Sequence, residues 1–232
     1  MKQIIAIGGG GFGRVIKDLK IERYITAQSS KKSPKICFIP TATGDDPSYI
    51  ENFYKAFDSL GCKTSHIEFF KRTINLRPHI LDQDIIYVGG GNTKSMLAVW
   101  KEWELDIILN EAYENNIIMS GVSAGAICWF KKGITDSWKD SQAIIDCLGF
   151  VEGICCPHYD EEPERIPYVK EILEANEITE CYGIEGYAAL HLIDDKPRYN
   201  ISFKKDTSCH HVFLRNNKVH HKNIDGTIEV DL

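Results

Sequence analysis

The 232-residue sequence contains no Cys-x-x-Cys pair, no internal repeat and no low-complexity segment. The first absence removes zinc-ribbon and thioredoxin-like chemistry. No apolar run approaches the roughly 18 residues a transmembrane helix needs. The N-terminus, Met-Lys-Gln-Ile-Ile-Ala-Ile-Gly, runs directly into a strand pattern, so no signal peptide is expected. Positive charge is in deficit: 27 Lys and Arg face 33 Asp and Glu, a formal net charge of −6. That balance argues against broad binding to nucleic acid or anionic membranes. Eight cysteines are present, most inside apolar strand-like runs (Cys37, Cys128, Cys147, Cys155, Cys156), where they read as small buried hydrophobes. A reducing cytoplasm is the expected compartment.

What is present fits one soluble domain spanning residues 1–232, with 43% hydrophobic and 26% charged residues. Apolar β-branched runs alternate with helical patterns. Strands are expected at 2–7, 35–39, 66–70, 84–88 and 117–119, and helices at 15–27 and 105–115. Asp45-Asp46-Pro47 reads as a helix start, with Asp46 as N-cap and Pro47 at the first helical position. Ile50, Phe53, Tyr54, Phe57 and Leu60 follow at helical spacing, and Gly61 closes that helix. The strands at 2–7, 35–39, 84–88 and 117–119 are nearly all apolar, as in sheets covered on both faces. The expected fold class is α/β: a three-layer α/β/α sandwich with a mostly parallel sheet and a short antiparallel C-terminal extension. Asn216-Asn217 predicts a two-residue hairpin within that extension.

In such sheets functional residues collect at the carboxyl ends of the strands. Four glycine- or proline-rich exits, 8–11, 40–44, 89–92 and 121–125, should therefore share one rim. The last carries Gly-Val-Ser-Ala-Gly, placing Ser123 in Gly-x-Ser-x-Gly between an apolar run and a helical one. That is the strand–turn–helix context of a nucleophile elbow. The Ala124 N–H would face an oxyanion, and Gly90 or Gly91 in Gly-Gly-Gly-Asn-Thr would supply the second donor. Asn92 or Thr93 would cap the following helix, with Asn92 placed to meet substrate.

Gly8, Gly10 and Gly13 match G-x-G-x-x-G after a strand. A dinucleotide site would also need an acid near the end of the second strand, and Ile39-Pro40-Thr41 has none, so the loop reads as active-site rim. For the base, His158 in Cys-Cys-Pro-His-Tyr-Asp lies just past an apolar strand. The acid that would hold its imidazole is Asp136 or Glu185, with glycine-flanked Glu185 preferred. His211 and His220 flank the hairpin as near-diagonal neighbours, but no further ligands are visible. No metal or cofactor is expected.

The elbow at Ser123, the glycine loop at 89–93 and Pro157-His158 together resemble peptidase family S51, which includes dipeptidase E and the cyanophycinases. The resemblance runs from Ile4 to about Leu192. It implies a fold like that of class I glutamine amidotransferases, with Ser123 as nucleophile and His158 as general base. The dipeptidase pattern points to Asp136 as the acid, the cyanophycinase pattern to Glu185. It also implies that Arg165 holds an aspartyl carboxylate of the substrate, which bidentate pairing makes chemically sensible.

The expected function is a cytoplasmic serine peptidase acting on small peptides, as monomer or homodimer, with no nucleic-acid or membrane partner. The alternatives are an α/β-hydrolase-type esterase, whose Ser–Asp–His order Ser123, Asp136 and His158 would allow, and a non-enzymatic binding protein on an amidotransferase-like scaffold.

Overall fold

The computed structural model describes residues 1–14, 18–138 and 141–230. The chain opens with strand β1 (Gln3–Ile7), helix α1 (Lys20–Ala27) and strand β2 (Lys35–Ile39). The helix anticipated from residue 15 thus starts at Lys20, and residues 15–17 lie outside the described residues. Helix α2 (Pro47–Ser59) begins as its sequence requires, the Asp46 side chain accepting from the Tyr49 N–H at 2.8 Å. Strand β3 (Lys63–His66) ends where a strand over 66–70 was expected to begin. The reason is the carboxylate of buried Asp45, which takes the N–H groups of Phe69 and Phe70 and so withdraws them from any ladder.

Helix α3 (Leu76–Leu81), strand β4 (Ile85–Val88), helices α4 (Thr93–Glu102) and α5 (Leu105–Glu114), strand β5 (Ile118–Val122) and short helix α6 (Ala124–Ile127) follow. The rest is mainly strand: β6 (Phe130–Trp138), β7 (Ser141–Asp146), β8 (Val151–Cys156), helix α7 (Arg165–Glu174), then β9 (Glu180–Ile184), β10 (Ala188–Ile193), β11 (Lys196–Ser202), β12 (Cys209–Arg215), β13 (Lys218–Asn223) and β14 (Thr227–Glu229).

Eight strands form the main sheet in the order β14-β11-β10-β1-β5-β4-β2-β3, parallel from β1 through β3. Alternation along its strands feeds two cores. Ile5, Ile7, Ile36 and Phe38 pack under Ile21, Ile25, Phe53 and Phe57 of α1 and α2. Ile4, Ala6, Cys37 and Ile39 pack against Ile80, Met96, Trp100 and Leu109 of α3, α4 and α5. Helices on both faces make the three-layer α/β sandwich that the apolar strands imply.

The antiparallel C-terminal segment is divided between two sheets. β10 extends the main sheet antiparallel to β1, and β11 pairs antiparallel to β10. β12 and β13 instead complete a second, six-stranded sheet, ordered β13-β12-β9-β8-β6-β7. Asn216 and Asn217 join β12 to β13 with φ of 53° and 55°, the positive pair a type I′ turn demands. This second sheet was not visible in the sequence pattern, and it is what carries His158 to the rim.

Candidate active site

Ser123 follows the end of β5 with φ 57° and ψ −112°, a conformation rarely open to a residue with a side chain. Its N–H donates to Ile7 O, and its carbonyl accepts from the N–H groups of Ala126 and Ile127, so strand and helix pin the turn from both sides. The flanking glycines let α6 lie against β4. A Cβ on Gly125 would sit 2.2 Å from Val88 O, and one on Gly121 would sit 2.4 Å from Gly125 O. The elbow is a strained turn held in place by close backbone packing.

His158 is delivered from the other sheet. β8 ends at Cys156, Pro157 follows, and His158 turns with φ 52° while its N–H donates to Gly8 O at 3.2 Å. Its Nε2 lies 2.9 Å from Ser123 Oγ. The N–H groups of Glu161 and Glu162 both donate to His158 O, closing a turn that swings the Glu161 side chain back onto the imidazole. Glu161 Oε2 stands 2.6 Å from His158 Nδ1. A carboxylate there assigns the proton to Nδ1, which leaves Nε2 free to accept the serine proton.

Glu161 is bedded between two glycines. A Cβ on Gly9 would lie 2.7 Å from its Oε2 and 3.0 Å from His158 Nδ1; one on Gly186 would lie 2.4 Å from its carboxyl carbon. Arg14 Nη1 donates to the other oxygen, Oε1. Burial works to raise the Glu161 pKa, but the hydrogen bonds from Arg14 and then His158 outweigh it and hold the carboxyl below its ordinary value. Arg14 follows Phe12, whose ring sits among Phe38, Tyr49, Phe53, Phe57 and Tyr87 at centroid separations of 5.1–5.9 Å. An aromatic anchor thus fixes the loop that carries the guanidinium.

A cleft of about 440 Å³ opens over these groups, lined by Gly10, Gly13, Arg14, Thr43, Asp46, Ser48, Tyr49, Asn52, Gly90, Gly91, Val122, Ser123 and His158. A Cβ on Gly90 would come within 3.2 Å of Ser123 Cβ, and the Gly90 N–H points to the Tyr49 hydroxyl at 3.5 Å. Ala124 is buried at the first position of α6. All four exits predicted to share a rim contribute to this lining, through Gly10, Thr43, Gly90 and Ser123, and the loop carrying Asp46 joins them.

The other predicted site residues lie elsewhere. Neither Glu185 nor Asp136 is the carboxylate that faces His158. Glu185 accepts from His210 Nε2 at 2.7 Å and from the Ser208 N–H at 2.8 Å. Asp136 is exposed, 3.5 Å from Arg165 Nη2. Arg165 does not line the cleft. It is 1% exposed, donating to Glu162 at 2.8 Å and to Ile134 O at 2.9 Å, and so ties α7 to β6. Asn92 is likewise occupied, its Oδ1 capping α4 through Ser95 N–H and its Nδ2 donating to Ser137 O.

His211 pairs with Glu180 and His220 stacks on Phe213. Among the described residues no group of three or more His, Cys, Asp or Glu side chains is arranged to hold a metal ion. Cys155 and Cys156 are fully buried, and burial pushes both thiols up, that of Cys156 to about 12. Two residues escaped the sequence reading. Glu161 had a local signal, standing three positions after His158 in a turn; Arg14 had only its place after the glycine loop.

The profile of peptidase family S51 matches residues 4–199. The chain is 42% identical over 220 residues to the "Uncharacterized peptidase YgaJ" of Bacillus subtilis strain 168, covering 94% of this chain and 95% of that one. It is 26% identical over 174 residues to the "Uncharacterized peptidase Lmo0363" of Listeria monocytogenes, covering 71% and 85%. Among solved structures, a candidate peptidase E protein from L. monocytogenes EGD-e superimposes with a TM-score of 0.61 at 22% identity, over 97% of this chain and 100% of that one. A peptidase from an acI-B1 Actinobacterium superimposes with a TM-score of 0.60 at 18% identity, over 97% and 95%. Those two likenesses speak to fold alone. The extent of the family match and the 42% identity place this chain in peptidase family S51, as a peptidase.

Proposed function

We propose that the protein is a serine-type peptidase that hydrolyses small peptides through Ser123, His158 and Glu161. The observation that carries this reading is the unbroken contact chain from Ser123 Oγ to His158 Nε2 (2.9 Å) and from His158 Nδ1 to Glu161 Oε2 (2.6 Å), open to a cleft. Nε2 takes the proton of Ser123 as Oγ attacks the scissile carbonyl. The N–H groups of Ala124 and of Gly90 or Gly91 stabilise the oxyanion, an effect worth roughly 3–4 kcal/mol per donor. The imidazolium then protonates the leaving amine as the C–N bond breaks. Water, deprotonated by Nε2, hydrolyses the acyl-enzyme and restores the serine.

Arg14 is the guanidinium that lines this cleft, and Glu161 already engages it. Arg165, the residue tied to aspartyl recognition by the sequence resemblance, is spent on internal contacts. This reading therefore assigns small peptides without an aspartyl requirement. A cytoplasmic location fits eight cysteines that are all free thiols. No helix among the described residues is long and apolar enough to cross a membrane.

The test is release of amino acids from a panel of dipeptides, Asp-X included, by wild type and Ser123→Ala side by side. Serine-dependent cleavage supports the reading. Equal cleavage by both proteins overturns it.

A further inference from the structure

The cleft carries one aspartate among its lining residues. Asp46 stands at the first turn of α2, beside Ser48 and Asn52. Its Oδ1 accepts from the Tyr49 N–H, and among the described residues no cation is paired with it. The other carboxylate near Ser123, Glu161, has both oxygens occupied, one by Arg14 and one by His158.

Position gives this aspartate a direction. The rim strands run β1-β5-β4-β2. His158 hangs on Gly8 just past β1, Ser123 follows β5, Gly90 lies in the loop after β4, and Asp46 lies in the segment between β2 and α2. His158 must reach the leaving nitrogen, so the leaving half of a peptide lies on the β1 side. The acyl half then extends past the glycine loop toward β2. Two strand spacings, about 10 Å, separate β5 from β2. The α-nitrogen of an acyl residue stands about 4 Å from the serine oxygen by bond lengths alone. The remaining distance crosses the cleft that Ser123 and Asp46 both line.

Resting on the serine-peptidase reading, we propose that Asp46 is a specificity-determining residue that anchors an ammonium group of the substrate's acyl residue. Two sources share this chemistry: the free α-ammonium of an N-terminal residue and a lysine side chain. The first would make the enzyme an exopeptidase that demands an unblocked N-terminus.

Asp46→Asn separates this role from helix capping, because asparagine caps as well as aspartate and lacks only the charge. The probes are diphenyl phosphonates, whose phosphorus Ser123 attacks with loss of phenoxide. One is an alanine analogue with a free amine, the second its N-acetyl form, and the third an N-acetylated lysine analogue. The readout is the labelling rate of each relative to N-acetyl-alanine, in wild type and in variants of matched Tm. Charge-assisted pairing predicts that Asp46→Asn lowers this ratio roughly ten- to a hundredfold. Loss with the free-amine alanine probe identifies the α-ammonium; loss with the lysine probe identifies the side chain. Unchanged ratios for both, with Ser123 still labelled, overturn the proposal. A wild type that none of the probes labels at Ser123 overturns the serine-peptidase reading, and this proposal with it.

Discussion

Glu161 Oε2 stands 2.6 Å from His158 Nδ1, three residues away along the chain, while the opposite ring nitrogen stands 2.9 Å from Ser123 Oγ. One turn of backbone therefore supplies both the proposed base and the proposed orienting acid. No distant carboxylate is needed to fix the tautomer.

Glu161→Gln follows from this geometry. A glutamine can present its N–H₂ to Nδ1 and stabilise the wrong tautomer, which places the proton on Nε2 and blocks acceptance from serine. By analogy with the loss of a triad aspartate, kcat should fall roughly 10³–10⁴-fold. Asp136→Asn and Glu185→Gln, whose partners are Arg165 and His210, should each leave kcat within a few-fold of wild type. A larger loss at Glu185 or Asp136 than at Glu161 would reverse the assignment.

Arg14 controls the ionisation of Glu161. Its hydrogen bond is the largest influence lowering the Glu161 pKa, ahead of His158 and opposed by burial. A depressed carboxyl remains ionised down to low pH; removing the guanidinium lets its pKa rise. Arg14→Gln should therefore move the acid limb of the kcat/KM profile to higher pH, so that activity is lost sooner as pH falls, and Arg14→Lys should restore part of the shift. A variant that only loosened the loop would lower the plateau and leave the limb where it was. The pH profile separates the two outcomes.

Much of this was legible in the sequence because it depends on short-range constraints. Asp46-Pro47 fixes a helix start, Asn216-Asn217 fixes a hairpin, and Gly-x-Ser-x-Gly fixes an elbow, each within a few residues. The second sheet was hidden because β6, β8 and β9 pair across dozens of residues, and nothing local to Phe130 or Val151 announces a partner. The carboxylate that faces His158 escaped notice for a similar reason. Strand ends and flanking glycines made Glu185 attractive, yet Gly186 serves Glu161: the space its missing Cβ leaves is filled by that carboxyl. Arg165 illustrates the converse, since sequence position cannot distinguish an arginine aimed at substrate from one buried under its own helix.

Gly186→Ala tests that packing. A Cβ at 2.4 Å from the Glu161 carboxyl must displace it, and the displaced group takes the His158 contact with it. kcat should drop at least tenfold with little change in KM, and the combined Gly186→Ala/Glu161→Gln protein should be scarcely worse than Glu161→Gln alone. Additive losses would mean that Gly186 acts through another route.

Two buried groups that do not line the cleft set opposite pH dependences of stability. Glu22 is fully buried, accepting from the Phe12 N–H, and burial raises it to about 7. The folded state keeps a proton that the unfolded chain releases above about 4.5. Its contribution is therefore complete below that pH and is lost as pH rises through 7. His191 is buried between Tyr24 and Gln3, and burial lowers it to about 4. The unfolded chain takes up a proton below about 6.5 that the folded state refuses, so this contribution is present above 6.5 and lost as pH falls through 4. Between those limits each group tilts the stability curve by about 1.4 kcal/mol per pH unit, in opposite senses. From these two groups the wild type should be nearly flat between pH 5 and 6.5. Glu22→Gln should make stability rise with pH in that window and His191→Gln should make it fall, as measured by urea unfolding at half-unit steps. Parallel slopes for both variants would show that neither group carries the shift its burial implies.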